Sequence, residues 1–176
     1  MELNELYLSR RSVRKYEDKP VSAKQIKELM EATLMAPTWK NSETGRYYVA
    51  ITPEAIAKVR ETLPAFNQNS TVNASYIITT FVKNVSGFTQ GKADNELGNE
   101  WGAYDLGLQN AFMLLKAREM GLDTLIMGLR DSEAIRAAFS IPEEEEIAAV
   151  ISIGYRAEEP HLRARKAVEE VYRILD

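Results

Sequence analysis

The chain has 176 residues, 45% hydrophobic and 27% charged, with a formal net charge of −4. This profile fits one ordinary globular domain, and the acidic balance argues against non-specific nucleic-acid binding. With no cysteine and a single histidine, His161, disulfides, thiol nucleophiles, iron–sulfur clusters and most structural zinc sites are excluded, and a serine triad would have only that one imidazole. No apolar run approaches the roughly 20 residues of a spanning helix, and the acidic start Met1-Glu2-Leu3-Asn4-Glu5 is unlike a secretory signal. The expectation is a cytoplasmic protein whose redox chemistry, if any, comes from a bound cofactor.

In chain order, Leu3, Leu6 and Tyr7 lie at helical spacing over residues 2–9. A polar, basic stretch follows over 10–16. Ser22 with Gln25 three residues later forms a capping box, in which each side chain satisfies a free backbone amide of the other. Ile26, Leu29, Met30 and Leu34 continue one apolar helical face. Residues 36–46, punctuated by Pro37 and Gly45, read as a loop. A strand is predicted over 47–51, and a helix with proline in its first turn over 53–63. A polar stretch over 67–73 precedes a strong strand at 76–82. Residues 83–99 read as a mobile loop or lid. The clearest helix is 101–120, with Leu108, Phe112 and Leu115 on one face and Gly121 suited to its C-terminal cap. A short strand at 124–127, a short helix at 132–139 and a buried strand at 148–153 complete the core. Glutamates 143–146 read as a solvated helix or loop, since adjacent helical residues point in different directions and make no metal site. Val168, Val171, Tyr172 and Leu175 have the period of a terminal helix. Strands and helices mix without regular alternation, so the class is α+β in a single domain, residues 1–176. No Gly-x-Gly-x-x-Gly follows a strand, which argues against a Rossmann site.

Two basic clusters stand out against the acidic balance. Arg10-Arg11-Ser12-Val13-Arg14-Lys15-Tyr16 places three arginines, a lysine and a serine within seven residues. Arginine offers a planar fork of donors that fits phosphate. Alone, the segment is equally well a solvated basic turn. Leu162-Arg163-Ala164-Arg165-Lys166 is the second cluster. Its alternating arginines point to one side of an extended chain. Converging on one dianion, the two clusters would make strong charge-assisted contacts. His161 beside them reads as a surface histidine.

A third segment, Ala36-Pro37-Thr38-Trp39-Lys40-Asn41, makes the pattern specific. Arg-Arg-Ser-x-Arg-x-Tyr followed by Ala-Pro-Thr-x-x-Asn resembles the nitroreductase family. The resemblance continues through Asp105-x-Gly-x-x-x-Gln-Asn, Gly121-Leu122, Met127-Gly128, Ile153-Gly154-Tyr155 and the terminal Arg-x-Arg-Lys, in family order along nearly the whole chain. It implies a mostly antiparallel central sheet flanked by helices, in an intertwined homodimer with FMN at the subunit interface. Arg10, Ser12, Arg163 and Arg165 would hold the phosphate, with Arg11 beside them. Arg14 would lie at the pyrimidine edge, where a fixed cation stabilises the reduced flavin. Pro37, Thr38, Trp39 and Asn41 would come from the other subunit. Gln68 would be a polar ligand, with Asn67 and Asn69 ranked below it. Met127 and Gly128 would bring backbone to flavin N5, where glycine permits close approach. The implied reaction is ping-pong: NADH or NADPH reduces the flavin at N5, then a nitroaromatic, quinone or flavin acceptor reoxidises it.

The sequence departs from the family pattern in three places. The loop runs Asn41-Ser42-Glu43-Thr44-Gly45 where the family often has Asn-x-Gln-Pro-Trp. Trp39 stands where a small residue is usual, so it either meets the flavin cleft or fills the dimer interface. Segment 83–99 is short. These differences leave open a flavin-storing protein with little turnover, or a specialised relative such as a dehalogenase or ring oxidase.

Overall fold

The computed structural model describes residues 2–175. Its centre is a four-stranded sheet in the order β1-β2-β6-β5, in which every pairing is antiparallel. The strands are β1 (Gly45–Ala50), β2 (Ser75–Val82), β5 (Asp123–Met127) and β6 (Glu145–Gly154). The two central strands are covered on both faces, which explains their near-continuous apolar runs. Ile77, Ile151 and Ile153 face one way, against α2 (Ala23–Thr33) and α5 (Glu100–Glu119). Tyr76, Ile78, Ile147 and Val150 face the other, against α3 (Pro53–Glu61) and α6 (Ser132–Phe139).

The helix boundaries follow from their caps. Gln25 N–H donates to Ser22 Oγ (3.2 Å) while Ser22 N–H donates to Gln25 Oε1 (3.1 Å), so the expected capping box forms at α2. Thr52 and Asp131 cap α3 and α6 one way only, each side chain accepting from a backbone N–H three residues on, Ala55 and Ala134. At the end of α5, Gly121 has φ +76°, and Leu122 N–H returns to Ala117 O (2.8 Å). That closure needs a left-handed residue, which glycine supplies without a Cβ clash.

Several elements differ from expectation. Residues 67–73 are not simply a polar link, because α4 (Ala65–Ser70) forms there. Strand β6 begins at Glu145, so the glutamate run is not wholly solvated: Glu145 is 6% exposed and accepts hydrogen bonds from Tyr48 Oη (3.0 Å) and Thr80 Oγ1 (2.5 Å). Segment 83–99 holds a small hairpin, β3 (Phe88–Thr89) with β4 (Lys92–Ala93), cross-linked by Asn84 N–H to Asn99 Oδ1 (2.6 Å) and Trp101 Nε1–H to Asn95 Oδ1 (2.8 Å). Leu34 is the C-cap of α2 and is largely exposed rather than on its buried face. Of the expected terminal helix only a single 3-10 turn, Val168–Glu170, forms.

The buried side of α5 is not the one that Leu108, Phe112 and Leu115 mark. Leu106, Gln109, Met113 and Ala117 are buried. Phe112 is 42% exposed, as Tyr104 also is. This helix is apolar on two sides, and periodicity alone cannot choose between them.

Candidate anion and cofactor site

The basic strip after α1 (Leu3–Ser9) is threaded between two strand ends. Ser12 bridges Thr124 in parallel, with Val13 N–H donating to Thr124 O (3.1 Å). On its other side, Tyr16 bridges Arg156 antiparallel, Glu17 N–H donates to Tyr155 O (2.9 Å), and Ala157 N–H donates to Lys15 O (2.9 Å). Val13 and Tyr16 are buried with Ala74, while Ser12, Arg14 and Lys15 are exposed, a spacing of three rather than strict strand alternation. Tyr16 donates to Val13 O (3.0 Å) and pairs with Ser152 Oγ (2.9 Å). Burial pushes its phenol up, so it stays neutral. Gly154 makes room for this ring, since a Cβ there would lie 2.9 Å from Tyr16 Cδ1.

The same weave carries the chain from β6 back across the strip. Arg14 N–H donates to Glu158 Oε1 (2.9 Å), and residues 160–165 then face residues 10–14 across a cleft of about 650 Å³. Arg10, Arg11, Ser12 and Arg14 line one wall, and His161, Arg163 and Arg165 line the other. The two basic clusters therefore meet, although 150 residues separate them in sequence. His161 is exposed, as expected, and lines this cleft. Burial, then the charges of Arg165 and Arg11, push the Arg10 guanidinium down from its ordinary value, and Asp123 pulls the other way. Like charges drawn this close, in a concave and partly desolvated place, suit a multivalent anion.

A charge network beneath the cleft was not legible in the sequence. Asp123, whose side chain is 1% exposed, opens β5. Arg156 grips it with Nε to Oδ2 (2.7 Å) and Nη2 to Oδ1 (2.6 Å), and Arg118 adds Nη1 to Oδ2 (3.0 Å). Arg156 also donates to Ser9 O (3.1 Å) and to both Glu159 oxygens (2.8 Å). The Asp123 hydrogen bond holds the Arg156 guanidinium well above its ordinary value.

The other expected site residues lie elsewhere. Pro37, Thr38, Trp39 and Asn41 sit on a loop docked to α5 and do not line the cleft of their own chain. Trp39 N–H donates to Asp105 Oδ2 (2.9 Å), which also accepts from Ser86 Oγ (2.5 Å). The rings of Trp39 and Trp101 lie 4.5 Å apart. Thr38 Oγ1 accepts from Glu43 N–H (3.1 Å), and Asn41 Nδ2 donates to Glu43 Oε1 (3.1 Å). Lys40 Nζ reaches Thr89 Oγ1 (2.8 Å) and Asp94 (3.3 Å), tying the loop to the hairpin. Lys40, Asn41 and Glu43 all have positive φ, a strained conformation held by these bonds.

Gln68 also lies off the cleft. Its Nε2 donates to Leu63 O (2.8 Å), and its carbonyl accepts from Arg60 (3.2 Å). Met127 is buried at the end of β5, the sheet edge. Gly128 follows it, exposed, and a Cβ there would meet nothing within 4 Å. Its carbonyl accepts from Arg130 Nη1 (2.5 Å).

Comparison with known proteins bears on the family and the fold. The model of the nitroreductase family matches residues 7–155, so Arg163 and Arg165 lie beyond the match. An NADH dehydrogenase of Thermus thermophilus is 26% identical over 189 residues, covering 93% of this chain and 91% of that protein. The solved nitroreductase family protein of Streptococcus pneumoniae superposes with a TM-score of 0.85 at 18% identity, covering 99% and 100% of the two chains. A nitroreductase-type protein of Exiguobacterium sibiricum, solved in complex with FMN, superposes at 0.82 with 19% identity over 99% and 98%. At these identities the superpositions establish the fold.

Proposed function

Because the chain belongs to the nitroreductase family, we propose that it is an FMN-dependent, NAD(P)H-using oxidoreductase working as a homodimer. One observation carries this reading: the arginines of residues 10–14 and 163–165 converge on a single cleft. Arg10, Arg163 and Arg165, with the Ser12 hydroxyl, hold the FMN phosphate, and Arg11 supports them. Arg14 lines the same cleft, where it would meet the flavin pyrimidine edge. When bound, FMN supplies the hydride-carrying chemistry between a reduced nicotinamide and a small acceptor such as a nitroaromatic or quinone.

The chain's own residues bind, orient and shield. The Pro37–Asn41 loop does not line its own chain's cleft, so on this reading it would serve the cleft of a second copy. Exposed Tyr104 and Phe112 on α5 give that copy an apolar surface to pack on. So do Leu3, Tyr7 and Leu8 of α1 and the terminal Val171, Tyr172, Ile174 and Leu175, all exposed in one chain. Gly128, open on its outer side, lets the flavin ring approach the backbone after β5. Gln68 is the least supported ligand, since its amide nitrogen is already engaged.

The test is direct. The purified protein, reconstituted with FMN, is mixed anaerobically with NADH and NADPH while flavin absorbance is followed. Bleaching is expected with at least one nucleotide. Bound flavin reduced by neither would favour storage, and failure to bind FMN would overturn the reading.

A further inference from the structure

We propose that Asp123 is the positioning residue of the phosphate cleft, setting through Arg156 the spacing between the Arg10 wall and the Arg165 wall. The inference rests on the FMN-phosphate reading above. Neither wall belongs to a helix or a main sheet strand. One follows α1 and the other follows β6, and their like charges push them apart.

Arg156 touches the root of each wall. It donates to Ser9 O (3.1 Å), immediately before Arg10, and to Glu159 (2.8 Å), immediately before residues 160–165. Its remaining donors are spent on Asp123, at 2.6 and 2.7 Å. The planar fork of arginine spreads its donors over three nitrogens and so spans the three partners, while a lysine ammonium has all its donors on one nitrogen and cannot reproduce the two-point grip on Asp123. Arg118 closes the far side of the carboxylate at 3.0 Å, so Asp123 accepts three charge-assisted bonds in a dry setting. Asp123, Arg156 and Arg118 do not line the cleft. The network acts through Ser9, Glu159 and the guanidinium it fixes.

Two effects of Asp123 on phosphate binding have opposite signs. As a buried negative charge it weakens the positive field of the cleft, so its removal alone would tighten FMN. As the anchor of Arg156 it holds two walls in register, so its removal would loosen FMN. Register wins, because bidentate contacts are lost with displacements of about 1 Å, a scale that costs on the order of a hundredfold in other positioned sites.

The experiment titrates FMN and riboflavin, which differ by the phosphate, into wild type, Arg156→Lys and Asp123→Asn, with thermal melts to confirm folding. Arg156→Lys keeps the charge and remains the informative variant if Asp123→Asn does not fold. For Arg156→Lys we expect FMN to weaken by about tenfold or more, the range seen when groups that only orient a ligand's contacts are removed. Riboflavin affinity should stay within about twofold, so the preference for FMN falls. Asp123→Asn should move the same way. Tighter FMN binding by Asp123→Asn, an unchanged FMN preference in Arg156→Lys, or an equal loss of both flavins would overturn the inference. A wild type that binds riboflavin as tightly as FMN would instead overturn the phosphate reading itself.

Discussion

Two stretches that the resemblance assigns to one flavin site fare differently in the fold. The arginine strips of 10–14 and 163–165 meet within a single chain. The Pro37–Asn41 loop is just as firmly built, by Asp105, Trp101 and the β3–β4 hairpin, yet it does not share that cleft. The difference teaches that one chain brings its two basic clusters together while its Pro37–Asn41 loop stays outside their cleft. On the proposed reading a site that uses both would need two copies, each clamp meeting the other's loop.

The largest effect should come from separating the copies. Phe112→Asp places a charge on the exposed apolar surface of α5, where burial against a second copy would cost several kcal/mol. We expect a monomer by sedimentation and loss of bound flavin. A dimer that retains flavin would move the interface elsewhere.

Breaking the clamp comes next. Arg10→Ala with Arg165→Ala removes two contacts to a charged group, each worth about 1.5–3 kcal/mol. FMN affinity, read by flavin fluorescence, should fall by a hundredfold or more. An unchanged affinity would refute the phosphate assignment.

The loop is expected to be more forgiving. Asp105→Ala leaves the Trp39 N–H and the Ser86 hydroxyl without their acceptor, and each costs about 1–3 kcal/mol if it stays buried. Urea unfolding should show that loss, while the excess affinity for FMN over riboflavin stays near the wild-type value. A collapse of that excess would mean that the two regions are coupled within one chain. The smallest effect serves as a control. Ser22→Ala removes the cap of α2 and should cost about 1 kcal/mol with flavin binding untouched.

The sequence carried those elements whose signals are local. The Ser22–Gln25 box, α6 and the apolar runs of β2 and β6 depend on neighbouring residues and were readable as such. Other elements were hidden for physical reasons. Helix α4 spans six residues, too few to display a period. Glu145 joins β6 because Tyr48 and Thr80 on neighbouring strands satisfy it, a fact invisible in a run of glutamates. Helix α5 carries apolar residues on two sides, and only packing decides which one faces the sheet. At the candidate site, the arginine types and their spacing suggested a phosphate contact. The Asp123–Arg156–Arg118 network beneath them did not show, because its members lie 5 and 33 residues from Asp123 and the sheet alone brings them together.

The shared-site claim is tested most directly by flavin stoichiometry in mixed dimers. One subunit carries Arg10→Ala with Arg165→Ala, and the other carries Trp39→Glu. Each variant alone should bind no flavin. In the mixed dimer one site keeps an intact clamp and an intact loop, so one FMN per dimer is expected. Mixed dimers that bind no flavin would place clamp and loop in the same subunit's site and contradict the account.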